Sequence, residues 1–282
     1  MSTLMREFSP PAAPCRRRVA VQWVAAGILL PAWANGAQAQ VGLSGAINHA
    51  GWFRALSQRM AKAYCQQYLQ VLPGAALDVM ALARKMEQSG AGELARGMPS
   101  GRWPADVGRQ LEEVHKQFAL LNKMTAQPAT ETSLVVAASE QADRTLLIAQ
   151  TVTESIERMA QGPSARLVNL AGRQRMLSQR LAKNYFLRAA KVESKVMQAQ
   201  LATDAVDFRQ ALKALKAAPV STAAIRNELE LADSQWLFFE SALRRPADDA
   251  GLNAVATTSE RLLAVMDQLT GRYEAALREV LG

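Results

Sequence analysis

An eighteen-residue phrase is written twice in this chain: Ile47 to Tyr64 reads INHAGWFRALSQRMAKAY, and Val168 to Tyr185 reads VNLAGRQRMLSQRLAKNY, with eleven identical positions. Self-similarity at a fixed offset, here 121 residues (168 minus 47), means two copies of one structural unit. The retained residues are Asn, Ala, Gly, Arg, Leu, Ser, Gln, Arg, Ala, Lys and Tyr. Core packing alone does not need that mixture of small and polar types, so the repetition points to a site as well as to a fold.

Between the breakers, apolar residues recur at three and four positions, and no run shows the alternation or the Val/Ile/Thr clustering of strands, so the chain reads as all-α. The clearest rows are Val107, Leu111, Val114, Phe118, Leu121; then Ile225, Leu229, Ala232, Trp236, Phe239, Leu243; then Val255, Thr258, Leu262, Val265, Leu269. Each describes an amphipathic helix with one buried stripe. Breaks fall at Pro73-Gly74, Gly97 to Pro104, Gln127-Pro128, Gly162-Pro163, Ala190 to Ser194, Pro219, and Pro246 to Gly251. They leave eight helical segments, four per copy. Four long helices with short connections form an up-down bundle. The expected architecture is two tandem up-down four-helix bundles, residues 40–162 and 163–282, each opening with its copy of the phrase and each long enough to bury a core.

Residues 1–39 are set apart. Arg16, Arg17 and Arg18 precede an apolar run from Val19 to about Ala34, followed by Ala37-Gln38-Ala39, the pattern of a secretory signal peptide. The run contains Pro31 and falls short of the ~20 residues that a spanning helix needs. The reading is therefore a soluble, exported, periplasmic chain by the general route, with an uncleaved N-terminal anchor as the alternative. Removing four Arg and one Glu takes the formal charge from +8 to +5. That balance suits attraction of small anions, but no dense Lys/Arg stripe with interleaved aromatics marks a nucleic-acid partner. Cys15 leaves with the signal, so Cys65 has no partner within the mature chain and is expected to be buried.

At 3.6 residues per turn the phrase carries two stripes. His49, Leu56, Met60 and Tyr64, with Leu170, Leu177, Leu181 and Tyr185 in the second copy, face the bundle interior. Ile47, Ala50 or Gly51, Arg54, Gln58, Ala61 and Cys65, and likewise Val168, Ala171 or Gly172, Arg175, Gln179, Ala182 and Phe186, form nearly the opposite face, spaced like a coiled-coil seam. Two such seams in contact bring like charges together at Arg54 and Arg175. A planar oxyanion between them reverses the sign, because guanidinium forks donate bidentate, charge-assisted hydrogen bonds. Gly51 and Gly172 allow close backbone approach. Gln58 and Gln179, one turn on, are placed to orient the arginines or the ligand. Arg59 and Arg180 lie on the flank and suit pairing with nearby carboxylates. Lys62 and Lys183 read as solvated, and Ser57 and Ser178 as bonded within their own helix. The bland alternative is that the arginines are solvated and the small residues serve only packing.

The phrase NLAGRQRMLSQRLAK, Asn169 to Lys183, resembles the P-box of bacterial nitrate/nitrite sensor kinases of the NarX type. The whole repeat is similar to the PilJ-type domain at the N-terminus of type IV pilus chemotaxis transducers. The resemblance implies a periplasmic four-helix sensor module whose first helix binds nitrate or nitrite at a two-fold seam. Its glycine and first arginine correspond to Gly172 and Arg175, and in the first copy to Gly51 and Arg54. That copy departs at His49, Trp52, Phe53 and Ala55, with Trp52 and Phe53 standing where the second has Arg173 and Gln174.

The leading expectation is a binding or sensing protein for nitrate or nitrite, with ligand-binding residues Gly51, Arg54, Gln58, Gly172, Arg175 and Gln179. It would act through a membrane-bound sensor kinase or chemoreceptor, because familiar relatives continue into a membrane helix and a cytoplasmic region whereas this sequence ends at Gly282. The two copies could pack Arg54 against Arg175 within one chain, or stack end to end and pair across a homodimer. The alternative is a periplasmic adaptor for a chemoreceptor or pilus system with no small ligand, its seam, including Ala182 and Phe186, binding another helical domain. An enzyme is not expected. Only His49 and His115 are available, no CxxCH suits haem, no ExxH pair suits a di-iron site, and neither metal nor cofactor is implied.

Overall fold

The structure is a computed structural model that describes residues 34–96, 103–192, 194–220 and 222–281; side chains are described for residues 42–95 and, within the later bounds, up to residue 276. The expected signal segment lies almost wholly outside the described residues. Among the described residues there are eight helices and no strands: α1 Ala34–Tyr68, α2 Pro73–Arg96, α3 Ala105–Thr125, α4 Thr132–Ala160, α5 Pro163–Ala189, α6 Lys195–Lys216, α7 Ala223–Leu243 and α8 Asp249–Leu281. Every internal break expected from Pro and Gly falls at or beside a helix end. No described helix is long and apolar enough to cross a membrane.

Local chemistry sets the ends. Gln161 adopts a left-handed conformation (φ 43°) that closes α4, and Pro163 opens α5, where its missing N–H costs nothing. The Ser194 hydroxyl accepts from the Met197 amide at 3.1 Å, and the Thr222 hydroxyl accepts from the Ile225 amide at 3.2 Å, so α6 and α7 start with side-chain caps. In α3, Asp106 in the first turn and Lys123 in the last suit the helix dipole.

Helices α1 and α5 lie along each other at the centre. Around them, α2 and α4 pack on α1, α6 and α8 on α5, α3 on α4 and α7 on α8; α8 also reaches α1, and α4 reaches α5. The α3 row Val107, Leu111, Val114, Phe118 and Leu121 is buried as expected. Phe53 from α1 meets Phe118 and the edge of His115, while Phe208 stacks on Trp236 at 4.2 Å in the second half. The α8 row is broader than expected. Thr258 and Val265 are only partly buried, and Ala256, Ser259, Leu263, Met266 and Thr270 join the buried set because α8 has α1 as an additional neighbour.

Cys65 is buried, as expected, and burial pushes its thiol up to about 12. Cys65 of the folded protein should therefore resist a thiol-reactive dye at pH 8 and react once denaturant is added. Rapid labelling of Cys65 without denaturant would contradict this burial.

Candidate oxyanion site at the α1 and α5 seam

Ala50 and Gly51 on α1 and Ala171 and Gly172 on α5 are all buried. A Cβ added at Gly51 would stand 3.1 Å from Arg54 Nη2 and 3.3 Å from Arg175 Nη2; one at Gly172 would stand 3.1 Å from Arg175 Nη2 and 3.7 Å from Arg54 Nη2. The two guanidinium groups thus converge over the two glycines, within one chain. Both arginines are 0% exposed. Of the two packings left open by the sequence, the internal one is present.

Their partners differ. Arg54 Nη1 donates to Gln150 Oε1 and Nη2 to Asn169 Oδ1, both at 2.7 Å. Each amide hands the interaction outward: Gln150 Nε2 donates to Glu154 at 2.5 Å, and Asn169 Nδ2 donates to Glu157. Arg175 Nη1 instead donates directly to Asp267 Oδ1 at 2.7 Å, Nη2 donates to the Asn48 carbonyl at 3.1 Å, and the Trp52 ring lies 4.4 Å from the guanidinium carbon. The Nε of each arginine is buried without a hydrogen-bond partner.

Burial, then the neighbouring Arg175 and Arg173 cations, push Arg54 down to about 9, against the pull of Glu154 and Glu157. Burial also lowers Arg175, with Asp267 opposing. A charged pair held this way is costly unless counter-charge is supplied. A cleft of about 640 Å³ lies between α4 and α5, lined by Gln150, Asn169, Glu154, Glu157 and Arg173 among others. The two amides that hold Arg54 thus form part of its wall.

Several expectations are corrected. Lys62 and Lys183, read as solvated, are fully buried: Lys62 donates to Ser259 Oγ at 3.1 Å and pairs with Glu260 of α8, while Lys183 pairs with Asp143 of α4 at 2.5 Å. Each lysine thereby ties one half of the chain to the other. Sequence periodicity missed them because α1 and α5 are surrounded on more than two sides. His49 and Leu170, read as interior, are only partly buried. Gln58 and Gln179 give their Nε2 atoms to the carbonyls of Ala142 (3.1 Å) and Ser259 (3.0 Å) rather than to the arginines, and their Oε1 atoms have no partner. Arg59 and Arg180 pair with Glu260 and Asp204 as expected, and the Ser57 and Ser178 hydroxyls donate to the carbonyls of Arg54 and Arg175.

Gln150 and Asp267, the residues that separate the two arginines chemically, lie outside the repeated phrase and carry no signal in it. Asn48 and Asn169 carried a signal, since both are retained in the phrase. Among the described residues, no group of three or more His, Cys, Asp or Glu is placed to hold a metal ion.

No curated protein and no solved structure matches this chain. A family model does match residues 159–265, which hold α5 with the second copy of the phrase, α6, α7 and the first half of α8. That model is PilJ, the N-terminal region of type IV pili methyl-accepting chemotaxis transducers, and over residues 159–265 the chain is similar to it.

Proposed function

We propose that this protein is a periplasmic sensor of a small planar oxyanion, nitrate or nitrite first, held at the α1 and α5 seam and reported through a membrane-bound sensor kinase or chemoreceptor. One observation carries the reading: two buried guanidinium groups converge over paired glycines, and each keeps an unpartnered Nε–H donor. Similarity to the N-terminal region of chemotaxis transducers over residues 159–265 supports a sensing role. Guanidinium donors in a dry site favour planar acceptors over a spherical halide. Signalling would follow if the ligand prefers one packing of α1 on α5, since only differential affinity shifts a conformational equilibrium.

Thermal unfolding with nitrate, nitrite and chloride tests this. A ligand that binds only the folded state at about 100 times its Kd adds about 2.7 kcal/mol. The expected result is a rise in Tm with nitrate or nitrite at matched ionic strength, absent with chloride and lost in Arg54→Ala. No response at millimolar nitrate and nitrite, or an Arg54→Ala protein that responds like the parent, removes the proposal. The adaptor alternative would need another face, because Ala182 and Phe186 are buried within the chain.

A further inference from the structure

Several hydrogen bonds of one half have a counterpart in the other. Gln58 reaches the Ala142 carbonyl as Gln179 reaches that of Ser259, and Asn169 meets Glu157 as Asn48 meets Glu274. For α1 and α5 the offset is 121 residues, whereas for α4 and α8 it is 117 (259 minus 142, and 274 minus 157). By the second offset Gln150 corresponds to Asp267, and Glu154 to Gly271. By the first, Arg173 corresponds to Trp52.

Resting on the oxyanion reading above, we propose that these substitutions divide the roles of the arginines: one oxyanion per chain is received on Arg54 through the α4–α5 cleft, while Arg175 is reserved by Asp267 and does not receive it. The Asp267 carboxylate is already a planar oxyanion on Arg175 Nη1. A free anion there would have to displace it or sit beside it against like charge. Trp52 covers another part of that guanidinium.

Arg54 meets neutral amides only. Either amide, by turning, offers its NH2 group to an incoming anion, so Gln150 and Asn169 can change from acceptors for Arg54 into donors for the ligand. Both line the α4–α5 cleft, beside Arg173. The depressed pKa of Arg54 has the same origin, a buried cation whose carboxylates stand one residue further out.

The test uses the full chain, titrated calorimetrically with sodium nitrate and sodium nitrite, with melting curves for each variant. The parent should bind one anion. Gln150→Asp should lose affinity by roughly tenfold or more, from like-charge juxtaposition, without a lower melting temperature in the absence of anion. Asp267→Asn should melt lower without anion and show a larger rise with nitrate than the parent. A Gln150→Asp protein that binds like the parent overturns the assignment, as does a folded Asp267→Asn protein that no longer binds, since Arg175 with Asp267 would then be the receiving pair. Should Asp267→Asn fail to fold, Gln150→Asp decides alone. Absence of binding in the parent is a different result: it removes the oxyanion reading itself.

Discussion

Glu260→Gln is expected to destabilise this protein by about 3–5 kcal/mol, the usual cost of removing one partner from a buried ion pair. Glu260 stands on α8 and takes both Lys62 and Arg59 of α1. Lys62 is fully buried, so in the variant its ammonium keeps the Ser259 hydroxyl but no counter-charge. Burial by itself would raise the Glu260 carboxyl, yet Lys62 and Arg59 outweigh it and hold the group at about 2 against an ordinary 4.5. A depressed carboxyl contributes stability that is complete above its unfolded value and is lost as pH falls through its folded value. The loss should therefore run from about pH 4.5 to about pH 2 and amount to roughly 3 kcal/mol. Urea midpoints at pH 7, 4.5 and 3 check both claims. The parent should lose this component on acidification, and the variant should start lower and lack it. Glu113→Gln, which removes the exposed partner of Lys116, is the control and should change stability by less than about 0.5 kcal/mol. Equal midpoints for the parent and Glu260→Gln at pH 7 would show that the two halves are not held by this pair.

The helices were legible because their signals are local. In α3, Val107, Leu111, Val114, Phe118 and Leu121 repeat at helical spacing, and Pro104 and Gln127-Pro128 mark the ends. The convergence of Arg54 and Arg175 was legible for a different reason: eleven shared residues fix two helices into one pattern, and the small residues before each arginine allow close approach. What periodicity cannot say is that a polar face is free. Lys62 and Lys183 sit on polar faces that α8 and α4 cover, and a carboxylate distant in sequence makes that burial tolerable. The division between Gln150 and Asp267 was hidden by a slip of four residues between the halves. At the offset of the phrase, Asp267 falls opposite Leu146, and only the contacts of α4 and α8 reveal Gln150 as its counterpart.

Gly251→Ala should lower stability by about 1–3 kcal/mol or more, although alanine ordinarily favours a helix over glycine by up to about 1 kcal/mol. A Cβ at this position, in the first turn of α8, would stand 2.0 Å from the Pro246 carbonyl oxygen, 2.8 Å from Tyr185 Oη and 3.2 Å from Arg245 Cβ. None of these is the loose end of a long side chain. Tyr185, the last retained residue of the phrase, donates to the Arg245 and Pro246 carbonyls at 3.2 and 2.9 Å, so displacing its hydroxyl also disturbs the seat of α5 against the α7–α8 turn. The amide of Gly251 in turn donates to Asp248 Oδ1 at 2.8 Å, which ties the start of α8 to the same turn. Gly271, further along α8, has nothing within 4 Å of an added Cβ, and Gly271→Ala should stabilise by about 0.5–1 kcal/mol. Opposite signs for one substitution on one helix separate steric crowding from helix propensity. A Gly251→Ala protein that melts at or above the parent would mean that the turn from Arg245 to Asp248 yields readily, and that the tyrosine closing the phrase does not depend on a close-fitting seat.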